Sequence, residues 1–157
     1  MKKSTMDISE ADRRILRVLQ SEGRVTASEL ARRIGMSETS CLRRMKLLEE
    51  AGVISGYRAV VDQRQIGLSA TVVIMVSTNQ RTETDRKAFV RAITCNPQII
   101  SCAAVTGSHD FVLEAVVRDI DELSDLTMRK LLELPTVTSI SSSIVVKWIK
   151  RNAPLPV

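Results

Sequence analysis

The chain has 157 residues, enough for one domain or two small ones, and 44% of them are hydrophobic, which can supply a core. Only 3% are aromatic, so that core must be aliphatic. A net charge of +5 with an isoelectric point near 9.4 favours an anionic partner, and no apolar run approaches the roughly 20 residues that a bilayer span requires.

The charge is uneven along the chain. Residues 1–60 carry 12 Lys/Arg against 8 Asp/Glu, whereas residues 61–157 carry 11 against 10. The basic excess therefore sits in the first part, as a nucleic-acid contact module requires. The opening MKKSTMDISEADRR is basic but has no apolar stretch, so it does not read as a secretory signal. Cys41, Cys95 and Cys102 show neither CxxC nor Cys/His metal spacing, and three cannot all pair. Free thiols in a reducing cytosol, no metal and no cofactor are the expectation, and with it a soluble cytoplasmic protein.

Ser9 is placed to cap a first helix whose apolar face runs through Ala11, Ile15, Val18 and Leu19 and which ends at Gly23. Thr26 and Glu29 have the spacing of a capping box, with Thr26 capping and Glu29 reaching back. They predict a short second helix with Leu30, Ala31 and Ile34 inward. Ser37 caps a third helix running to about Ala51, before Gly52. Ala31, the turn residue Gly35 and Cys41 fit a helix-turn-helix. Two steeply crossing helices need small side chains where they touch and glycine where the backbone reverses.

The second helix of such a unit enters the DNA major groove. A wheel at about 100° per residue puts Cys41, Met45 and Leu48 on one face and Thr39, Arg43 and Lys46 on the opposite one. Ser40 and Leu47 lie beside that outer face. Short polar residues at the helix start (Ser37, Glu38, Thr39, Ser40) suit an approach to base edges, and Arg43 suits guanine or a phosphate. Arg44 lies at the border of the buried face, where a structural or phosphate-directed role competes with base reading. Arg24, Arg32 and Arg33 are positioned as phosphate contacts, though each alone also reads as an ordinary surface cation. The turn spacing, the caps and the local charge together predict DNA binding.

Val53–Asp62 reads as a strand leaving the helices and Gln63–Leu68 as a connector. The predicted organisation is a reading domain over 1–55, a hinge strand and linker over 56–68, and a second domain over 69–157. In that second domain Ser69–Thr78 predicts a strand and Thr82–Ile93 an amphipathic helix with Phe89, Ala92 and Ile93 inward. Ile99–Thr106 and Phe111–Arg118 predict strands on either side of Gly107-Ser108-His109-Asp110. Asp121–Leu134 predicts a helix stopped by Pro135, and Val137–Ile149 a last strand. The order is βαββαβ, the ferredoxin-like arrangement.

These strands do not alternate cleanly. Val72 to Val76 is apolar on both faces, and Ile99-Ile100 and Val116-Val117 show the same tendency. Two helices cover one face of a four-stranded sheet, and a wet face normally alternates. The simplest resolution is a second copy over the other face, giving a homodimer.

A helix-turn-helix followed by βαββαβ resembles the Lrp/AsnC, or feast/famine, family of transcription regulators. The resemblance runs from about Asp7 to Lys150. It rests on D-x-x-x-x-D-R-R-I-L from Asp7, G-R-V-T-x-x-E-L-A from Gly23 and S-x-T-x-C-L-x-R from Ser37. It continues in L-E-x-x-G-V-I-x-G-Y-x-A from Leu48, in G-S-H-D-F from Gly107 and in the final V-K-W-I-K. The resemblance implies an α+β chain with an N-terminal winged helix-turn-helix and a C-terminal ferredoxin-like (RAM) domain. It further implies double-stranded DNA as a partner, homodimers assembling into tetramers or octamers, and a nucleoid-associated location.

The family binds small effectors, typically amino acids, in clefts between dimers. The matching loop residues are Gly107, Ser108, His109 and Asp110, and the nearest matches on the last strand are Thr138, Ile140 and Ser142. Backbone N–H groups at a glycine turn can receive a carboxylate, and Asp110 can pair with an α-ammonium. Gly107 also reads as an ordinary hairpin turn, Asp110 as an Asx-type turn residue and His109 as an exposed loop histidine. Many relatives carry an acidic residue in place of Ser108 and an aromatic in place of His109.

Two other functions compete. An effector-insensitive protein that wraps DNA would share nearly all these features. Siroheme decarboxylases resemble the same architecture, yet this chain has one histidine, no HExxH and no G-x-S-x-G, and Cys41 sits on a core-facing position, so no enzyme is expected.

Overall fold

The computed structural model describes residues 7–79 and 82–157. The first six residues, part of the basic opening read above, lie outside the described residues. The chain forms two compact units, one running to Val61 and taking in Lys150–Val157, the other spanning Asp62–Ile149. The last residues thus return to the first unit, although they read as part of the second domain.

In the first unit, α1 spans Glu10–Ser21, α2 Ala27–Ile34 and α3 Glu38–Glu50. Ser9 caps α1 in a capping box closed by Asp12. Thr26 caps α2 by accepting the Glu29 N–H at 3.2 Å, but the expected return bond is absent. The Glu29 carboxylate turns outward to Arg32 and Arg33 instead, because two guanidinium groups one turn ahead outcompete one backbone donor. Gly35 ends α2 at φ +70, a left-handed conformation that favours glycine, and the Met36 N–H reaches back to the Ala31 carbonyl at 2.9 Å. Arg14 donates to the Ile34 carbonyl at 3.1 Å, placing a cation at the negative end of α2.

Ile15, Leu16, Leu30, Ala31, Ile34, Cys41 and Leu48 form the core of this unit. Ala31 and Cys41 are the small residues that let the helices approach. Leu16 is deeper than the wheel implied, whereas Ala11, Val18 and Leu19 are half-buried.

The strand expected over Val53–Asp62 does not form. Val53 and Ile54 turn back to the Leu48 carbonyl at 2.9 and 3.1 Å, and the residues that follow run without strand pairing. A β-prone run makes a strand only beside another strand, and no other lies among the described residues of this unit. Tyr57 holds the segment to the end of α3 by donating to Glu49 Oε1 at 2.8 Å.

The second unit opens with a short 3₁₀ turn, Gln63–Ile66, and then follows the predicted order. Its elements are β1 Ala70–Thr78, α4 Glu83–Thr94, β2 Ile99–Ala104, β3 Phe111–Val117, α5 Ile120–Ser124 and β4 Val137–Ile144. The strands lie in the order β2-β3-β1-β4, every neighbour antiparallel, which is the ferredoxin-like topology. Two elements depart from the sequence reading. The helix expected over Asp121–Leu134 is α-helical only to Ser124 and continues as π-helical turns over Asp125–Leu131. The last strand stops at Ile144, paired with Val72 of β1, rather than at Ile149; Val145 makes one more bond to the Thr71 carbonyl, and residues 145–149 run on without strand pairing.

One sheet face carries the core. Val72, Ile74 and Val76 of β1 sit beside Ala115, Leu113 and Phe111 of β3, beneath Phe89, Ile93, Leu126 and Leu131. The Phe89 and Phe111 rings lie 4.6 Å apart between centroids. The other face presents Val73 and Met75 of β1, Val112 and Glu114 of β3, and Ser141 and Ser143 of β4. Only its Thr71–Val116 corner is buried, where Gln63 of the 3₁₀ turn accepts from Thr71 at 3.1 Å. Met75 remains 37% exposed. This face is apolar along its centre and serine-rich along β4.

Candidate nucleic-acid interface and effector site

Ser37 starts α3 by accepting the Ser40 N–H at 3.3 Å and donating to Ser40 Oγ at 2.9 Å. The two serines hold the first turn in shape. Glu38, Thr39, Arg43 and Lys46 project into solvent, and Lys46 approaches Glu50 only loosely, at 3.7 Å. Among the described residues Arg43 has no acidic partner within salt-bridge distance.

Its neighbour Arg44 has the opposite fate. The Nη1 group donates to Asp12 at 2.8 Å and to Ser9 at 3.0 Å, bolting α3 to the start of α1. Asp12 is buried, which by itself would raise its pKa. Hydrogen bonds from Ser9 and Arg44 outweigh burial and hold the carboxyl below its ordinary range. These bonds give Arg44 the structural role weighed for it beside phosphate contact and base reading. One helical step, about 100°, separates the two fates.

The arginines of α2 are also engaged. Arg32 grips Glu29 with two bonds of 2.9 and 2.8 Å, and Arg33 lies between Glu29 at 2.7 Å and Glu22 at 2.6 Å. The Arg32 and Arg33 hydrogen bonds hold the Glu29 carboxyl down to about 2. A phosphate reaching Arg32 or Arg33 would compete with these carboxylates. Arg24 is exposed and shares a surface cleft with Tyr57 and Arg58. Arg58 was hidden from sequence reasoning inside the run read as a strand. Its only signal was a cation between Gly56-Tyr57 and Ala59-Val60.

The 107–110 loop is pinned over the end of β1. Gly107 has φ +129, a conformation that favours glycine. Asp110 accepts the Thr78 N–H at 2.6 Å and the Thr78 hydroxyl at 3.1 Å, and its own N–H donates to the Val76 carbonyl at 3.0 Å. One carboxylate oxygen of Asp110 is therefore committed to the turn, the structural role weighed for it. His109 Nδ1 lies 3.2 Å from the Ser77 hydroxyl, and the ring is half-buried while Ser108 is exposed.

Thr78 pairs with Val137, so the loop and the start of β4, with Thr138, flank the same end of β1. Ile140 departs from the expectation. It sits opposite Val76 and packs, half-buried, against the core cluster, so part of its side chain serves the interior. Ser142 lies farther along, opposite Ile74, and is exposed. Cys41 is buried and Cys95 and Cys102 are exposed, all three as free thiols. Among the described residues no cluster of His, Cys, Asp and Glu could hold a metal ion, and no helix is long and apolar enough to cross a membrane.

Residues 8–55 match the winged helix-turn-helix DNA-binding family, and residues 71–155 match the Lrp/AsnC ligand binding domain. The chain belongs to the Lrp/AsnC family. It is 30% identical over 150 residues to the transcriptional regulator AzlB of Bacillus subtilis, covering 96% of both chains. It is 32% identical over 145 residues to the leucine-responsive regulatory protein of Rhizobium meliloti, covering 92% of this chain and 93% of the relative. Among solved structures, a transcriptional regulator of Neisseria meningitidis in complex with L-methionine superposes with a TM-score of 0.90 at 36% identity, over 97% of each chain. This Lrp/AsnC protein is accordingly a DNA-binding transcriptional regulator, with the two-domain α+β architecture expected from its sequence.

Proposed function

We propose that this Lrp/AsnC regulator binds double-stranded DNA as a homodimer or a multiple of one, and that an amino acid with an apolar side chain modulates it. In this reading residues 1–55 read DNA, 56–68 form the hinge, and the sheet domain from residue 69 pairs the copies and takes the effector. The observation that carries the proposal is the contrast along α3. Arg43 points outward without an acidic partner beside exposed Thr39, while Arg44, Arg32 and Arg33 are satisfied within the fold. Base or phosphate contacts fall to Thr39, Arg43 and Lys46, with Ser37, Glu38 and Ser40 shaping the helix start. Arg24 and Arg58 meet the phosphate backbone.

Dimerisation is supported by the half-apolar sheet face around Val73 and Met75, which no described element of the sheet unit covers. Effector binding is assigned to Gly107, Ser108 and His109 with Thr138 and Ser142. Its support is the L-methionine bound to the Neisseria relative and to a feast or famine regulatory protein of Mycobacterium tuberculosis, 27% identical with a TM-score of 0.81. The place of action is the cytoplasm, on the nucleoid, with no catalytic step.

Two measurements test the reading together. Selection from a random DNA pool should return a two-half-site sequence, and calorimetry against the amino acids should give heat with L-methionine or a similar apolar amino acid. Heat with none of them, alongside intact sequence-selective binding, would favour an effector-insensitive DNA-wrapping protein.

A further inference from the structure

Lys150–Val157 belong to the helix-turn-helix unit although they follow the last strand of the sheet. Asn152 adopts a left-handed conformation at φ +51 and begins a tail of sequence Ala153-Pro154-Leu155-Pro156-Val157. The two prolines fix φ and carry no N–H, so the tail is extended and has few donors to satisfy. Gln20 of α1 meets the backbone of Leu155 from both sides. Its Oε1 accepts the Leu155 N–H at 2.6 Å and its Nε2 donates to the Leu155 carbonyl at 3.4 Å, as a neighbouring strand would. Arg17 Nε donates to the Val157 backbone oxygen at 2.8 Å, and the Val157 side chain packs against the helical core.

The tail and the hinge share one groove. A cavity of about 360 Å³ is walled by Leu19 and Gln20 of α1, by Ile54 and Tyr57 of the segment after α3, and by Leu155 and Val157 of the tail. Ile54 and Val157 rest on the same core cluster. The chain passes between the units twice, at 61–62 and at 149–150. One crossing is the hinge and the other leads directly into the tail.

We propose that residues 154–157 are a dissociable strap, an extended Pro-Leu-Pro-Val segment docked on α1 that holds the Val53–Val60 segment, which leads into the 56–68 hinge, against the helix-turn-helix unit and is released when the hinge moves. The occupant is this chain's own tail. Its hold consists of exposed hydrogen bonds and one half-buried valine, a set suited to reversible docking rather than to a permanent core. The prolines limit the entropy lost each time it docks. The strap thereby gives the sheet unit a second covalent handle on the reading unit, separate from the hinge.

Hydrogen exchange on the full chain and on the chain shortened after Ala153 tests this, with tryptic cleavage after Arg58 as a second readout. Removing the strap should raise exchange over residues 53–60 by about tenfold and speed cleavage after Arg58, while the protected amides of β1 and β3 stay unchanged. Gln20→Ala should reproduce part of the effect without touching the tail. The peptide Ala-Pro-Leu-Pro-Val added in trans at about millimolar concentration should restore protection to the shortened chain. Equal exchange and cleavage with and without the tail would overturn the proposal, as would rescue that the peptide fails to give in a shortened chain whose helices remain protected. Hinge protection in the intact chain that falls on dilution would also overturn it, since the tail would then come from a second copy.

Discussion

The two units solve the same problem differently. The helix-turn-helix unit closes its core within one chain: three short helices bury Ile15, Leu30 and Leu48 completely, and Asp12, buried beside that core, is matched by Ser9 and Arg44. The sheet unit buries one face under its helices and leaves Val73 and Met75 on the other, uncovered by any of the unit's own described elements. In the proposed reading, a reader that is complete alone moves as a rigid piece, and a sheet that is incomplete alone sets how many readers act together. Avidity then supplies affinity that one basic helix lacks.

A substitution on the open face should disturb the molecule most. Val73→Asp puts a carboxylate where a second copy would pack. Sedimentation should show dissociation, and operator affinity should fall by about a hundredfold as two-site binding is lost. Unchanged sedimentation would mean that the face is not the interface.

The self-sufficiency of the reading unit rests on Asp12. Asp12→Ala leaves a half-buried Arg44 without its partner and should cost about 3 kcal/mol in urea unfolding, with little effect on the sheet unit. The acid dependence has a defined sign. The Asp12 carboxyl is held below its ordinary range in the folded chain, so its contribution is complete above that range and is lost as the pH falls through the lowered value. The substituted chain should therefore lose less stability on acidification than the parent does.

Within the reading unit the arginines should separate by fate. Arg43→Ala should cost about 1–3 kcal/mol of operator affinity, concentrated at one base pair if it reads a base and spread across sequences if it grips phosphate. Arg32→Ala should change affinity by less than about 0.5 kcal/mol, because Glu29 already occupies that guanidinium. Arg44→Ala should appear first as lost stability. The smallest effect is at Tyr57, the chain's one tyrosine, where burial and the bond to Glu49 push the phenol up to about 12. The folded state favours neutral Tyr57, so its contribution is present below the ordinary phenol range and lost as pH rises through about 12. Ultraviolet difference absorbance should show this late titration, and Glu49→Gln should move it earlier.

Elements that close on local signals were legible in the sequence: the caps Ser9, Thr26 and Ser37, the turn at Gly35, and the strand–helix order of the sheet unit. Features that depend on which partner wins were not. Glu29 had a backbone donor and two arginines within reach, and sequence spacing alone does not rank them. Val53–Asp62 has strand composition, but strand formation depends on a neighbour that composition cannot supply. Ile140 and Thr138 alternate with their neighbours on paper. The register shift between Ser77 and Thr78 decides which of them meets the core. At the effector loop, the glycine turn was readable and the double bond from Thr78 to Asp110 was not, because it joins residues 32 apart in the chain.

One titration separates the proposed molecule, a self-contained reader multiplied by a sheet that requires a second copy and answering to an amino acid, from a single independent reader. Fluorescence anisotropy of the selected DNA site would be followed against protein concentration, with and without L-methionine or whichever amino acid gives heat in calorimetry. The predicted result is sequence-selective saturation at two chains per site, or a multiple of two, with a midpoint that moves when the amino acid is added. Saturation at one chain per site, with a midpoint indifferent to every amino acid, would contradict it.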